Sequence, residues 1–127
     1  MAAGAICLVA AGLVRATLAS SDVTVAWTHS VEKTRWEERY AISGKSLTLV
    51  EARVQAMGAG MEPAADAVLR DGWWRWTPQA EPLTQLRLTY STFAQDYTIC
   101  AGQRCNSLRE LVGPALDEGQ VVNLQPC

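Results

Sequence analysis

The polar residues that could do chemistry are densest between Trp27 and Glu38, the segment that holds the only histidine, His29. Imidazole nitrogens and carboxylates of Glu32, Glu37 or Glu38 are suitable ligands for a metal ion or a polar solute. A protein metal site uses three or four ligands, whereas this segment offers only one nitrogen ligand. The alternative is a hairpin turn in which surface arginines pair with the carboxylates. We favour that alternative, and we predict neither a bound metal nor a resident cofactor.

The same segment gives no indication of catalysis. Successive residues of a strand point to opposite faces, so His29 is poorly placed to act as a base for Ser30. Glu37 and Glu38 would also face opposite ways, which weakens a paired-carboxylate mechanism. No Gly-x-Ser-x-Gly elbow occurs in the sequence. We therefore predict that the protein is not an enzyme.

A second group of candidates lies in and after the glycine-rich stretch Met57–Pro63. Met61, within this stretch, is either a soft metal ligand or a residue that fills a gap in the core, and filling the core is the commoner role of methionine. The run Trp73-Trp74-Arg75-Trp76 is either a stacking platform for a ligand or part of the core, and alternation places Trp73 opposite the other two tryptophans. The residues that we predict to bind a ligand or partner are His29, Glu32, Trp36, Glu37, Arg53, Met61, Glu62 and Trp73.

These residues lie on or beside segments with the period-two alternation of β-strands. Val23–Thr28, Arg35–Ile42 and Leu47–Ala56 alternate, and Ser43-Gly44-Lys45 between the last two predicts a tight hairpin turn. Strict alternation in the third segment would put Leu47 and Leu49 on the same face as Glu51 and Arg53. Many short strands separated by turns predict a mostly β fold, a small antiparallel β-sandwich or barrel built from hairpins.

The cysteines predict one structural disulfide. Cys100 and Cys105 flank a four-residue segment that contains a turn-forming glycine, and partners across a hairpin can bring their Cβ atoms into bonding range. The rival is a metal or redox pair, but the spacing is not Cys-x-x-Cys and no second Cys/His pair accompanies it. Because we assign Cys7 to an N-terminal leader, Cys127 has no obvious partner in the mature chain, and it is either free or cross-linked.

That leader is the apolar run Ala2–Val14, which ends near Arg15 and is followed by small residues at Thr17-Leu18-Ala19. A helix needs about 20 apolar residues to span a bilayer, so this run fits a signal peptide better than a transmembrane helix. The missing basic residue before the run leaves a retained short anchor open. We predict a signal helix in residues 1–20, a single β domain in residues 21–127, and a periplasmic or secreted location.

Composition limits the class of partner. The chain has 127 residues and a net charge of −2, with 11 basic and 13 acidic residues. This is enough for one domain but provides no basic field for nucleic acid. We predict no nucleic-acid partner, and a membrane partner only if the leader is retained.

Several motifs together resemble a family of bacterial proteins, domain-of-unknown-function family 1850. They are Trp27–Thr34, Trp36-Glu37-Glu38, Glu51-Ala52-Arg53, Gly58–Pro63, Asp71–Trp74, and Asp96-Tyr97-Thr98 with the two following cysteines, and they cover about Val23 to Leu111. The resemblance assigns no activity. It implies an association with TAXI-type tripartite transporters, beside which similar proteins tend to be encoded. We therefore expect a non-catalytic periplasmic accessory module that binds a transporter component or a small solute. The alternative is a stand-alone small-ligand or metal-binding protein that uses His29 and nearby carboxylates.

Overall fold

The computed structural model describes residues 4–28, 33–55, 65–93, 95–113 and 116–127. Within these ranges the chain forms short antiparallel strands and one short helix. In chain order the elements are β1 (Ala5–Ala10), β2 (Leu13–Ala19), β3 (Asp22–Thr28), β4 (Arg35–Ser43), β5 (Ser46–Gln55), β6 (Val68–Arg70), β7 (Trp73–Trp76), β8 (Leu86–Thr89), β9 (Thr98–Ala101), β10 (Arg104–Ser107), α1 (Leu108–Val112) and β11 (Val121–Pro126).

The strands form two sheets. The four-stranded sheet has the order β2-β1-β11-β8, and the seven-stranded sheet has the order β10-β9-β3-β4-β5-β7-β6. Every pair of neighbouring strands is antiparallel, and most neighbours are joined by hairpins. The mostly β, antiparallel prediction is therefore confirmed. Over the described ranges neither sheet closes into a barrel.

One hydrophobic core receives side chains from both sheets. Leu8 and Leu124 of the four-stranded sheet and Val25 and Ile99 of the seven-stranded sheet are all buried in it. Each fully buried aliphatic side chain contributes about 1.5–3 kcal/mol, so this shared cluster is the main favourable term that holds the sheets together. Leu108 carries the short helix into the same cluster.

The short helix α1 is fixed by its first turn. The Ser107 hydroxyl accepts from the Glu110 backbone N–H, and the Glu110 carboxylate accepts from the Ser107 backbone N–H, which forms a capping box. Among the described residues no helix is both long enough and apolar enough to cross a membrane.

From Ala5 onward the N-terminal apolar run forms a β-hairpin, so the prediction of an N-terminal signal helix is wrong. A two-residue turn at Ala11 and Gly12 joins β1 to β2. Their φ angles of 52° and 76° suit a type I′ turn, which needs a positive φ at both positions. β1 lies between β2 and β11, and its Ile6 and Leu8 are fully buried. A short apolar run bounded by a turn suits a buried strand as well as a helix. The predicted processing near residue 20, with a domain from 21 to 127, stays a prediction.

All four cysteines are paired. Cys100 and Cys105 lie directly opposite each other on β9 and β10, which confirms the predicted disulfide. Cys7 of β1 is bonded to Cys127, with a Cα–Cα distance of 5.8 Å. The bond therefore gives Cys127, whose state the sequence left open, a partner in the segment that we assigned to a leader. The second disulfide joins β1 to the residue that follows its neighbouring strand β11.

The central hairpin β4–β5 forms as predicted, but its register contains a bulge. Arg39 pairs with Glu51 and Tyr40 pairs with Leu49, which leaves one extra residue on β5. Such a bulge exchanges the faces of the residues that precede it. Leu47 is therefore fully buried in the core and does not share the face of Arg53, contrary to the strict alternation that we predicted.

Candidate functional site

The outward side of the seven-stranded sheet carries alternating arginines and carboxylates. Tyr40 of β4 and Val54 of β5 are buried, so the odd-numbered residues of the same strand segments, Glu37 and Arg53, point to the opposite side of the sheet. The pairing of strands continues this row, because Glu37 lies opposite Arg53 and Arg53 lies opposite Arg75. We call this surface the arginine face, and its residues are Arg35, Glu37, Arg39, Glu51, Arg53, Trp73 and Arg75.

Glu37 is held between two guanidinium groups. Arg53 donates from Nε to Oε1 of Glu37 at 2.8 Å, and a terminal nitrogen of Arg53 lies 2.6 Å from the same oxygen in an ion pair. Arg35 Nε donates to Oε2 of the same carboxylate at 3.1 Å. The Glu37 side chain is only 15% exposed, so solvent screens these charge-assisted bonds less than it would at an open surface. The arrangement fixes the carboxylate and the guanidinium of Arg53 in one orientation.

Trp73 provides a second constraint on Arg53. The guanidinium carbon of Arg53 lies 4.1 Å from the centroid of the Trp73 ring, a cation–π contact. Such a contact contributes about 0.5–2 kcal/mol, with more at desolvated sites. Arg53 is therefore held by an anion on one side and by an aromatic ring on the other, which presents its charge in a fixed position.

Arg75 and Arg39 are held much less tightly. The shortest nitrogen–oxygen distance is 3.8 Å from Arg75 to Glu51, and 3.9 Å from Arg39 to Asp22. Both distances exceed the length of a charge-assisted hydrogen bond, about 2.7–2.9 Å. Nε of Arg75 is buried and has no acceptor in the described part of the chain.

A cleft of about 250 Å³ opens over this part of the sheet. Its lining contains three arginines and two glutamates, together with one threonine from β3: Thr24, Glu37, Arg39, Glu51, Arg53 and Arg75. A groove of about 570 Å³ adjoins it and shares Glu51 and Arg75, while Val68 and Leu69 of the edge strand β6 form its apolar part. Charged and apolar side chains thus lie side by side on this surface.

The structure brings together three of the predicted site residues and separates a fourth. Glu37, Arg53 and Trp73 meet on the arginine face. Trp36 lies on the opposite side of the sheet. Its ring stacks on Trp27, with 6.4 Å between the ring centroids, and makes an edge-to-face contact with Trp76, with 6.3 Å between the centroids. His29, Glu32, Met61 and Glu62 lie outside the described residues.

The two adjacent glutamates of β4 also separate, as alternation predicts. Glu38 accepts a hydrogen bond from the Tyr40 hydroxyl at 2.8 Å on the core side of the sheet. Burial raises the pKa of Tyr40 above its ordinary value, and the bond to Glu38 raises it further. Glu37 faces the other side, so the two carboxylates do not form a pair. The described residues also contain no group of three or more His, Cys, Asp or Glu side chains that could hold a metal ion.

Sequence reasoning missed Arg75 and did not connect Arg39 and Glu51 with the site. The available signal was the alternation of charge within each strand: Arg35-x-Glu37-x-Arg39, Glu51-x-Arg53 and Trp73-x-Arg75. Side chains two apart share a face, so each motif supplies one edge of a common polar surface. The pairing of β5 with β7, which makes the motifs one surface, is a long-range contact that the motifs do not contain.

The fold and site define a disulfide-linked, antiparallel β protein with an arginine and tryptophan surface on its larger sheet. Residues 23–108 match the model of the family described as domain of unknown function (DUF1850), and the chain belongs to this family. The match extends from β3 through β10 to the first residue of α1, so it includes every residue of the arginine face. No curated protein and no solved structure matches the chain.

Proposed function

We propose that the protein is a non-catalytic, exported binding module that acts through the arginine face. Its partner would be a component of a TAXI-type tripartite transporter or the solute of that transporter. The observation that carries this proposal is the Glu37–Arg53–Trp73 assembly beside the loosely held Arg39 and Arg75. Binding residues need side chains that neighbouring groups hold in one orientation, and Glu37 and Trp73 hold Arg53 in this way.

The arrangement favours binding over catalysis. Both oxygens of Glu37 already accept from arginines, so this carboxylate is poorly suited to act as a base or nucleophile. Its neighbour Glu38 is bonded to a tyrosine on the other face. These contacts support a role in positioning charge, and we extend the proposal to a protein without enzymatic activity and without a resident cofactor.

The disulfides bear on location. Disulfides persist in oxidising extracytoplasmic compartments, and both pairs in this chain are compatible with one. We propose the periplasm, since the family resemblance implies a transporter there, with a secreted or N-terminally tethered protein as the alternatives. We further propose that the two sheets pack as a β-sandwich, an interpretation supported by the core that they share.

A retention experiment tests the proposed role. The tagged full chain is immobilised and exposed separately to the transporter's soluble solute-binding component and to its membrane subunits in detergent. We expect wild-type protein to retain one of them and the double variant Arg39→Glu/Arg75→Glu to lose that retention. An Arg104→Glu variant is the matched control, because Arg104 is exposed on β10 at the opposite edge of the same sheet.

The outcomes separate the proposal from its alternative. Equal retention by wild-type protein and the double variant would remove the arginine face from the account. Retention of no component, with a solute bound directly by the isolated protein, would favour the stand-alone ligand-binding protein.

A further inference from the structure

The cleft on the arginine face contains more positive than negative side-chain charge. Its lining has three arginines and two glutamates, so three positive minus two negative charges leave an excess of one. The whole chain, in contrast, has a net charge of −2. A local excess of arginine in an acidic protein attracts anions to that position.

The strand register places two of these arginines directly opposite each other. Arg53 of β5 pairs with Arg75 of β7, and like charges at such positions destabilise a sheet. Glu37 compensates Arg53 through short hydrogen bonds. Arg75 receives no equivalent compensation from the described residues, since its contact with Glu51 is 3.8 Å long and its buried Nε has no acceptor among them.

An anion in the cleft would offset the repulsion between Arg53 and Arg75 and would satisfy the buried donor of Arg75. It would place negative charge next to the Arg53–Arg75 pair and would supply an acceptor to donors that lack one. Arg39, on the other wall, also has donors for such a group because its nearest carboxylate oxygen is 3.9 Å away. The forked guanidinium matches the two oxygens of a carboxylate.

We propose that this cleft binds the carboxylate group of a small organic acid through Arg39 and Arg75. Arg53, fixed by Glu37 and Trp73, forms the charged floor between them. The cleft volume of about 250 Å³ lies below the roughly 300–1,000 Å³ of most ligand pockets, so the ligand is small. Glu37 and Glu51 repel negative charge, so the cleft favours a carboxylate group, with one negative charge, over a phosphate group with two. This inference rests on the proposed binding role of the face and names its ligand class.

Isothermal titration calorimetry of the full chain with glutarate, at low ionic strength, tests the inference. We expect saturable binding, with the dissociation constant raised at least tenfold by Arg75→Gln and by Arg39→Gln. Arg104→Gln is the control, and it should change the constant by less than about twofold. Glutaramide, which has the same carbon chain without charge, should not bind. If Arg75→Gln fails to fold, as judged by its thermal melt, Arg39→Gln decides alone, because that side chain is 44% exposed.

Several results would overturn the inference. They are no saturable binding of glutarate to folded wild-type protein, equal binding of glutaramide, or unchanged affinity in folded Arg39→Gln. Preferential binding of a tetraglutamate peptide, with no response to glutarate, would show that the face recognises an acidic protein segment instead. If the transporter component is retained but glutarate does not bind, the ligand assignment fails and the proposed function stands. If both experiments are negative, both fail.

Discussion

Replacing Leu8 by alanine tests whether the N-terminal apolar run is part of the folded core. Leu8 is fully buried on β1, opposite Ala16 of β2 and Leu124 of β11. A leucine-to-alanine change in a protein core costs about 2–5 kcal/mol, from lost burial and from the cavity that remains. Total stabilities of small domains are about 5–15 kcal/mol, so the loss is a large fraction of the whole.

Urea unfolding monitored by tryptophan fluorescence measures this loss. The protein must first be shown by intact mass to retain residues 1–20, so that the variant position is present. With a urea dependence of about 2 kcal/mol per molar, the predicted cost lowers the unfolding midpoint by roughly 1–2.5 M. Val14→Ala is the matched control on the same hairpin. Val14 is 59% exposed, so we expect its replacement to change stability by less than about 0.5 kcal/mol.

The reasoning is refuted if Leu8→Ala unfolds at the midpoint of the wild-type protein. That result would mean that β1 does not pack in the core of the molecule in solution. An equal effect of Val14→Ala would also refute it, since the two positions would then not differ in burial.

Three further predictions concern the disulfide, a buried tyrosine and the Glu37 assembly. The Cys7→Ser/Cys127→Ser variant should lose about 2–5 kcal/mol in urea unfolding, because the bond closes a loop across a sequence separation of 120. The pKa of Tyr40 is raised above its ordinary 10.0, so unfolded chains lose this proton first and stability falls as pH rises above about 10. Tyr40→Phe should lack that contribution, and urea unfolding between about pH 9 and pH 11 should show a shallower decline. Glu37→Gln should cost about 1–3 kcal/mol, because Arg35 and Arg53 lose a charged acceptor.

Each of these has an outcome that would contradict it. An unchanged midpoint in the double cysteine variant, measured against wild-type protein under oxidising conditions, would mean that the bond adds no stability. Parallel pH profiles for Tyr40→Phe and wild-type protein would contradict the raised pKa. Equal stability of Glu37→Gln and wild-type protein would show that solvent screens the assembly; Glu81→Gln, at an exposed position, is its control.

Local features predicted much of the seven-stranded sheet. Alternation and the turn at Ser43–Lys45 located the β4–β5 hairpin, and cysteine spacing located the β9–β10 disulfide, because both depend on residues close in sequence. The face of Leu47 could not be predicted, since it depends on a bulge that only the pairing with β4 defines.

The N-terminal hairpin and the complete site could not be predicted for a related reason. A run such as Ala5–Ala10 suits a buried strand, a helix or a signal peptide, and only its pairing with β11 distinguishes them. Likewise, Glu37, Arg53 and Trp73 were predicted separately, but Arg75 joins them through the β5–β7 pairing. Contacts between distant parts of the chain decided both outcomes.

The account's central claim is that the arginine face is the binding surface of this protein. A nitrogen-15 chemical-shift map of the 13.8 kDa chain tests it most directly, with the retained transporter component or glutarate added in steps. We predict that the largest amide shifts fall on β4, β5 and β7, around Arg39, Arg53 and Arg75. Shifts concentrated on the four-stranded sheet, or no shifts during addition of a retained component, would contradict the claim.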